Sequence, residues 1–281
     1  MKAKILYDRL ENDFISSELS DVWAKYMVPV YDFLTENFKV RSMGLVCDFA
    51  EKITKVYSAV FPTDKILQQI IENGTTDAML FLHHPSIWDI RDTPTFKQMN
   101  PALVKKFQER RISIYNLHVP LDNYSDYSTS KTLADALDIE VVKPFAQYRG
   151  GLAGVIGKTK CKTVEELNTV LSKAVGHSTK LYLYGDSIIN SNIGIVAGGG
   201  NTMETVTELL DNNVKVLISG ITVNNNISSE VHRCEKANRI NVLGGTHYST
   251  EKFACIKMCS YFESLGLESE FVHGEPVLED L

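Results

Sequence analysis

From residue 4 to residue 38 the apolar positions recur at roughly helical spacing, and Trp23, Tyr26, Met27, Val30, Tyr31, Phe33 and Leu34 form an aromatic-rich stripe within the stretch. The spacing predicts helix over 4–38, interrupted at Pro29, with the stripe turned toward core or a second subunit. The period then shortens. Residues 41–47 read as a first strand and 53–60 as a second, alternating one. Thr63 is placed to cap a helix running through Asn73, with Asp64 in its favourable first turn and Gly74 ending it. The apolar run Ala78-Met79-Leu80-Phe81-Leu82 is short enough for a buried strand. Strand, helix and strand in that order favour parallel pairing and an α/β fold. Beyond a polar loop, Pro101 opens a helix carrying Leu103, Val104 and Phe107, and 112–117 reads as the next strand. Ser130 is expected to cap a helix through Leu137, followed by a brief edge strand at 140–142.

The texture changes at Gly150, Gly151, Gly154 and Gly157, and a second lobe is expected to open there. It reads as helix at 164–171, strands at 180–184 and 193–197, helix at 202–210, strand at 214–220 and a helix from Ser228. Gly198-Gly199-Gly200-Asn201 lies between a strand and a helix, where glycines can form an anion nest. No Lys-Ser or Lys-Thr follows, and the dinucleotide spacing is missing, so a tight packing turn is the favoured reading. A last strand at 240–243 precedes a helix that runs to about Ser264 and stops at Gly266.

Chemistry gathers just past the carboxyl ends of strands in open α/β sheets. His83 and His84 follow the strand at 78–82, His118 and Asp122 follow 112–117, and His247 and Glu251 follow 240–243. In a straight strand His83 and His84 would face opposite sides, so the chain must bend for both to serve one site. Each feature has a plain alternative: one histidine packs while the other meets water, Asp122 belongs to a turn, and Glu251 supports a helix start capped by Ser249 or Thr250. Taken together, His83, His84, Asp122, His247 and Glu251 mix imidazole and carboxylate in the manner of a Zn, Mn, Fe or Co site. Five donors exceed one catalytic zinc and suit two ions bridged by a carboxylate and a water.

The 281 residues, 44% hydrophobic and 23% charged, are enough for one large domain or two moderate ones of ordinary soluble composition. A formal charge of -6 argues against affinity for the nucleic-acid backbone without excluding a nucleotide substrate. Five scattered cysteines, with no secretory or bilayer-spanning apolar run, predict a reduced, cytoplasmic protein. Cys255 and Cys259 share a helix face and read as small core residues.

The motifs His83-His84-Pro85, His118-Val119-Pro120-Leu121-Asp122 and His247-Tyr248-Ser249-Thr250-Glu251, with the stretch 150–157, resemble the NIF3 family of dinuclear metal proteins. Members are often described as GTP cyclohydrolase 1 type 2 homologues. The likeness extends from about Gly44 to the C-terminus. It implies two α/β lobes with mixed sheets flanked by helices: a first lobe at 1–147 completed by 235–281, and a second at 148–234. It further implies two divalent ions per subunit (Zn, Fe or Mn), held by His83, His84, Asp122, His247 and Glu251, and a toroidal homohexamer. His118 would line the site, and His118, Asp122 and Glu251 are the candidate catalytic groups. The expected activity is metal-dependent hydrolysis of a small nucleotide or phosphorylated molecule; the alternative is a non-enzymatic oligomeric metal-binding or regulatory protein. No membrane association is expected, and the absence of a DNA-reading helix or finger argues against direct DNA binding. Two segments depart from the family pattern. Lys39-Val40-Arg41-Ser42-Met43 stands where members commonly have Trp-Asp-Asn, and Gly220-Ile221 where many have Gly-Glu with a histidine soon after.

Overall fold

The computed structural model describes residues 1–92 and 94–281. By its internal contacts the chain divides into two compact units, Met1–Leu121 with Cys255–Glu275, and Asp122–Ala254 with Pro276–Leu281. Both are built on mixed sheets flanked by helices.

In the first unit the expected long N-terminal helix is two short ones, α1 (Ala3–Phe14) and α2 (Glu36–Arg41). Between them lie 3₁₀ turns at Trp23–Tyr26 and Val28–Phe33. Pro29 cannot continue an α-helical ladder, and the tighter turns bury Trp23, Met27, Val30 and Leu34 of the stripe while leaving Tyr26 and Tyr31 exposed. The strands are β1 (Gly44–Cys47), β2 (Lys55–Ala59), β3 (Ala78–Leu82), the short hairpin β4 (Ile87–Trp88) and β5 (Phe96–Lys97), and β6 (Ile112–Asn116). Helices α3 (Asp64–Glu72) and α4 (Pro101–Glu109) connect them. Thr63 caps α3 as expected, its hydroxyl accepting from Ile66 N at 3.3 Å. β2 does not alternate: four of its five residues are buried, because it pairs in parallel inside the sheet and packs on both faces. β3 and β6 are buried throughout. Their core neighbours include Phe38, Leu67 and Phe107, each of which stabilises the unit by about 1.5–3 kcal/mol through burial.

The parallel strands β3 and β6 are clamped at their starts. Asp77 and Arg111, the residues just before them, both adopt left-handed φ values, 53° and 55°. Arg111 Nε and Nη2 donate to the two oxygens of Asp77 at 2.7 and 2.8 Å. This bidentate pair holds the Asp77 carboxyl down at about 2. A folded-state value below the unfolded one means stability that is present above the ordinary carboxylate range and lost as pH falls through about 2. The melting-temperature gap between the protein and Asp77→Asn should be constant above about pH 5 and shrink below it. Solvent screening of a half-exposed pair keeps that gap to about 2 °C or less. A gap that widens on acidification would show the clamp to be inert.

The second unit begins earlier than the glycine-rich stretch. The turn α5 (Val119–Asp122) ends on its first residue, and α6 (Thr129–Ala136) follows. The N-cap position of α6 is Ser128; Ser130 instead donates to Ala153 O and accepts from Ala197 N. The brief edge strand is a long one, β7 (Glu140–Tyr148), forming an antiparallel hairpin with β8 (Gly151–Lys158). Pro144 is tolerated because β7 lies at the sheet edge. The glycines of β8 answer to packing: a Cβ on Gly154 would lie 2.7 Å from the Phe145 ring and 2.8 Å from Val196. Then come α7 (Val164–Val175), β9 (Lys180–Tyr182), β10 (Ile193–Val196), α8 (Met203–Asp211), β11 (Val216–Ser219), α9 (Ser229–Ala237) and β12 (Asn241–Gly244). The sheet order is β7-β8-β10-β11-β12-β9, parallel across β10, β11 and β12.

Helix α10 (His247–Ser264) begins in the second unit, and its residues from Cys255 belong to the first. β13 (Glu268–Phe271) then pairs in parallel with β2, completing the first sheet in the order β1-β6-β3-β2-β13. Among the described residues no helix is long and apolar enough to cross a membrane.

Candidate metal centre

Within the first unit, β3 delivers two of the predicted histidines. His83 N and His84 N donate to Ala59 O at 3.2 Å and Val60 O at 2.9 Å, extending the β2 ladder past the end of the strand. The chain bends at His83, and the two rings come to 4.3 Å between centroids at 68°. β6 delivers the third: the His118 ring lies 5.3 Å from His83 and 4.7 Å from His84. All three residues are buried, and one ligand nitrogen from each lies within 4.8 Å of the others.

The surroundings fix which nitrogens can act. His83 Nδ1 sits 3.0 Å from Leu117 O, and a carbonyl can only accept, so Nδ1 carries the proton and Nε2 the lone pair. Asn116 Nδ2 donates to His83 O and, at 3.3 Å, to Leu82 O, holding the bent strand end. His84 is stacked on Phe61 at 4.7 Å and met edge-on by Trp23 at 5.9 Å. His118 Nδ1 has two neighbours, Asp21 Oδ2 at 2.8 Å and Trp23 Nε1 at 3.0 Å. One nitrogen cannot donate to the first while accepting from the second. The carboxylate, whose side chain is 2% exposed and can only accept, decides in favour of a proton on Nδ1. Nε2 then carries the lone pair, and the Asp21–His118 pair has the form in which a carboxylate orients an imidazole.

Within the second unit, α10 places His247 and Glu251 one turn apart, with His247 Nε2 3.1 Å from Glu251 Oε1 and both residues buried. Neither Ser249 nor Thr250 caps the helix. Thr246 does, its hydroxyl accepting from Ser249 N at 3.3 Å, and it holds a φ of 63° that is costly for a β-branched residue. Thr250 lies inside the first turn and donates to Thr246 O at 2.9 Å. The turn at 198–200 is a packing turn, as expected. Gly198 has a φ of 65°, its N–H donates to Thr250 Oγ1 at 3.0 Å, and a Cβ there would lie 2.0 Å from Glu251 Oε1. The backbone of Gly198 is thus the floor against which the Glu251 carboxylate rests. Asp122 is half-buried and accepts from Thr129 Oγ1 at 2.8 Å.

So the first unit brings together His83, His84 and His118, and the second pairs His247 with Glu251. Asp21, Trp23, Asn116, Thr246 and Gly198 support these groups. Of these, the sequence marked Trp23 as core or subunit contact and Gly198 as part of a turn; Asp21, Asn116 and Thr246 carried no such signal. The donor set suits a borderline divalent ion: clustered imidazoles, with the His83 tautomer set from behind by Leu117 O, and a carboxylate seated in a cradle that a Cβ would fill.

A model of the family Duf34/NIF3 (NGG1p interacting factor 3) matches residues 31–275. A Borreliella burgdorferi protein described as a GTP cyclohydrolase 1 type 2 homolog is 25% identical over 245 residues, covering 86% of this chain and 90% of that protein. A Pyrococcus horikoshii protein of the same description is 25% identical over 236 residues, covering 82% and 88%. Among solved structures, protein ybgI, described as of unknown function, superposes with a TM-score of 0.77 at 17% identity, covering 98% of this chain and all of that one. Reduced HcgD from Methanocaldococcus jannaschii gives 0.70 at 22% identity, covering 98% of each. At these identities the structural matches speak for the fold.

Proposed function

The chain belongs to the Duf34/NIF3 family, and from that premise we propose that it is a dinuclear metal-dependent hydrolase acting on a small nucleotide or phosphorylated molecule. The observation that carries the reading is the buried trio His83, His84 and His118, with ligand nitrogens within 4.8 Å of one another. His83 and His84 are imidazoles of the kind a borderline divalent ion takes, and His118 lies against both, placed to exchange a proton with what such an ion binds. The second unit's His247 and Glu251 supply the further imidazole and the carboxylate that two ions need, and Asp122 completes the proposed ligand set of His83, His84, Asp122, His247 and Glu251.

When bound, such ions supply Lewis-acid activation of water and charge neutralisation of an anionic oxygen. The remaining work falls to the chain. His118, oriented through Nδ1 by Asp21, accepts a proton at Nε2 and returns it to a leaving oxygen. Asp122 and Glu251 present carboxylate oxygens held by Thr129 and by the Gly198 turn. Phe61, Trp23 and Phe96 shield the histidines: Trp23 lies 5.4 Å from Phe96 and 5.2 Å from His118, so bulk water is kept from that face.

The test is a turnover screen of metal-loaded protein against GTP, cyclic nucleotides, short phosphodiesters and nucleoside monophosphates, with Asp122→Ala and chelator-treated protein alongside. Turnover by the loaded protein, reduced at least about a hundredfold in both controls, is expected. Equal activity in either control defeats the catalytic reading. Verified metal loading with no turnover across the screen would favour the metal-binding alternative.

A further inference from the structure

We propose that Asp280 is a positioning residue for the His247–Glu251 pair: its side chain, from the C-terminal segment, fixes the first turn of α10 so that both side chains present their ligand atoms together. This rests on the metal-binding reading above.

The first turn of α10 is buried from His247 through Glu251, so its leading N–H groups need protein acceptors. Thr246 satisfies Ser249 N from within the turn. His247 N is satisfied from 33 residues away, donating to Asp280 Oδ2 at 2.9 Å. Asp280 is itself 1% exposed, and burying a carboxylate is costly unless it is well bonded. Here it faces the positive end of an eighteen-residue helix, where a negative group is stabilised.

Asp280 is held in turn. Its carbonyl accepts from Thr222 N at 2.7 Å and Val223 N at 2.8 Å, and its own N–H donates to Val277 O at 3.2 Å. Just before that pair of donors, Gly220 N and Ile221 N both donate to Gly198 O, at 3.0 and 2.9 Å. Gly198 is the residue whose missing Cβ makes room for Glu251. One loop, 220–223, therefore ties the residue that fixes His247 to the residue that seats Glu251. Gly220 has no room to be anything else: a Cβ there would lie 2.6 Å from Gly198 O and 2.7 Å from Thr250 Oγ1. Thr246 keeps its left-handed φ of 63° at the point where the chain enters α10, a conformation that persists only when the surroundings over-determine it. The bond from His247 N to Asp280 is one such determinant, since it fixes the direction of the helix at its first residue.

A generic cap would contribute stability alone; a positioning residue also sets ligand geometry. The two separate by experiment on the full chain, with Co(II) as the probe. Asp280→Ala should lower Co(II) affinity about tenfold to a hundredfold and shift the visible d–d bands of the bound ion, with the fold retained by circular dichroism. Asp280→Asn keeps an oxygen that accepts from His247 N and should restore affinity to within a few-fold, along with the band positions. If Asp280→Ala does not fold, Asp280→Glu takes its place: it keeps the charge, moves the oxygens by one methylene and should shift the bands of a folded protein. Unchanged affinity and spectrum in the folded variants, with only a lower melting temperature, would overturn the proposal. Failure of the unsubstituted protein to bind Co(II) would instead overturn the metal-binding reading.

Discussion

Gly198→Ala will cost the protein bound metal and lower its melting temperature, while Gly199→Ala, one residue on, will do neither. The contrast comes from geometry. A Cβ at position 198 would lie 2.0 Å from Glu251 Oε1, 3.0 Å from Glu251 Cδ and 3.2 Å from His247 Cδ2. No heavy atoms tolerate the first of these. The backbone cannot retreat, because its N–H is bonded to Thr250 and its carbonyl accepts from Gly220 and Ile221. The Glu251 carboxylate must move instead. Overpacking of this kind costs about 1–3 kcal/mol, and an alanine at a φ of 65° about 1 kcal/mol more. A displaced ligand should weaken metal binding about tenfold to a hundredfold. At Gly199 a Cβ would meet only Ile221, at 4.0 Å. Elemental analysis of both purified variants, with melting curves, decides the matter. Full metal content and an unchanged melt in Gly198→Ala would mean that the cradle is incidental.

The second large effect is expected of the histidines at the end of β3. In the double variant His83→Ala/His84→Ala, metal content should fall from the proposed two ions per chain to one or none. His118→Ala should keep its metal and lose turnover, because the proposed role of His118 is proton transfer. Circular dichroism should show both proteins folded, since the strand is anchored by its ladder to β2 and β6 rather than by the rings. The double variant should still melt lower, by about 2–4 kcal/mol of stability, from the space left beside Phe61 and Trp23. Two ions per chain in the double variant would remove His83 and His84 from the ligand set.

What was legible in the sequence was whatever local chemistry determines. Thr63 with Asp64 marks a helix start, and the apolar run 78–82 marks a buried strand, because capping and burial are written within a few residues. The family motifs named His83, His84, His118, Asp122, His247 and Glu251; the first unit holds the three histidines 83, 84 and 118 close together, and the second holds His247 and Glu251 one helical turn apart and Asp122 against Thr129. What escaped was set by distant partners. β2 reads as alternating, but both its faces are packed: Tyr57 and Ala59 join the core, and Ser58 donates to Cys255 O of α10. The long edge strand β7 is masked by Pro144 and polar positions, and shows only in its pairing with β8. The stripe from Trp23 to Leu34 has helical spacing, but Pro29 and the tight 3₁₀ turns make two short pieces of it. Asp21 and Asp280 are unremarkable acids in sequence; their roles depend on His118 and His247, 97 and 33 residues away.

The parallel pairing of β13 with β2 has a consequence for how the chain is made. Lys55 to Ser58 must wait for Glu268 to Phe271, about 200 residues further along. At ribosomal speeds of about 5–20 residues per second, that edge stays open for on the order of ten seconds or more. An unpaired, largely apolar strand edge is a template for aggregation, and a lysine at its margin is a common protection. Lys55 stands at the start of β2 and in the finished protein lies 2.8 Å from both Glu268 and Glu270. The same ammonium can therefore repel like chains during synthesis and receive the rightful strand at its end. A Lys55→Val substitution, nearly silent in the folded molecule, would then show itself as lost soluble yield in the cell.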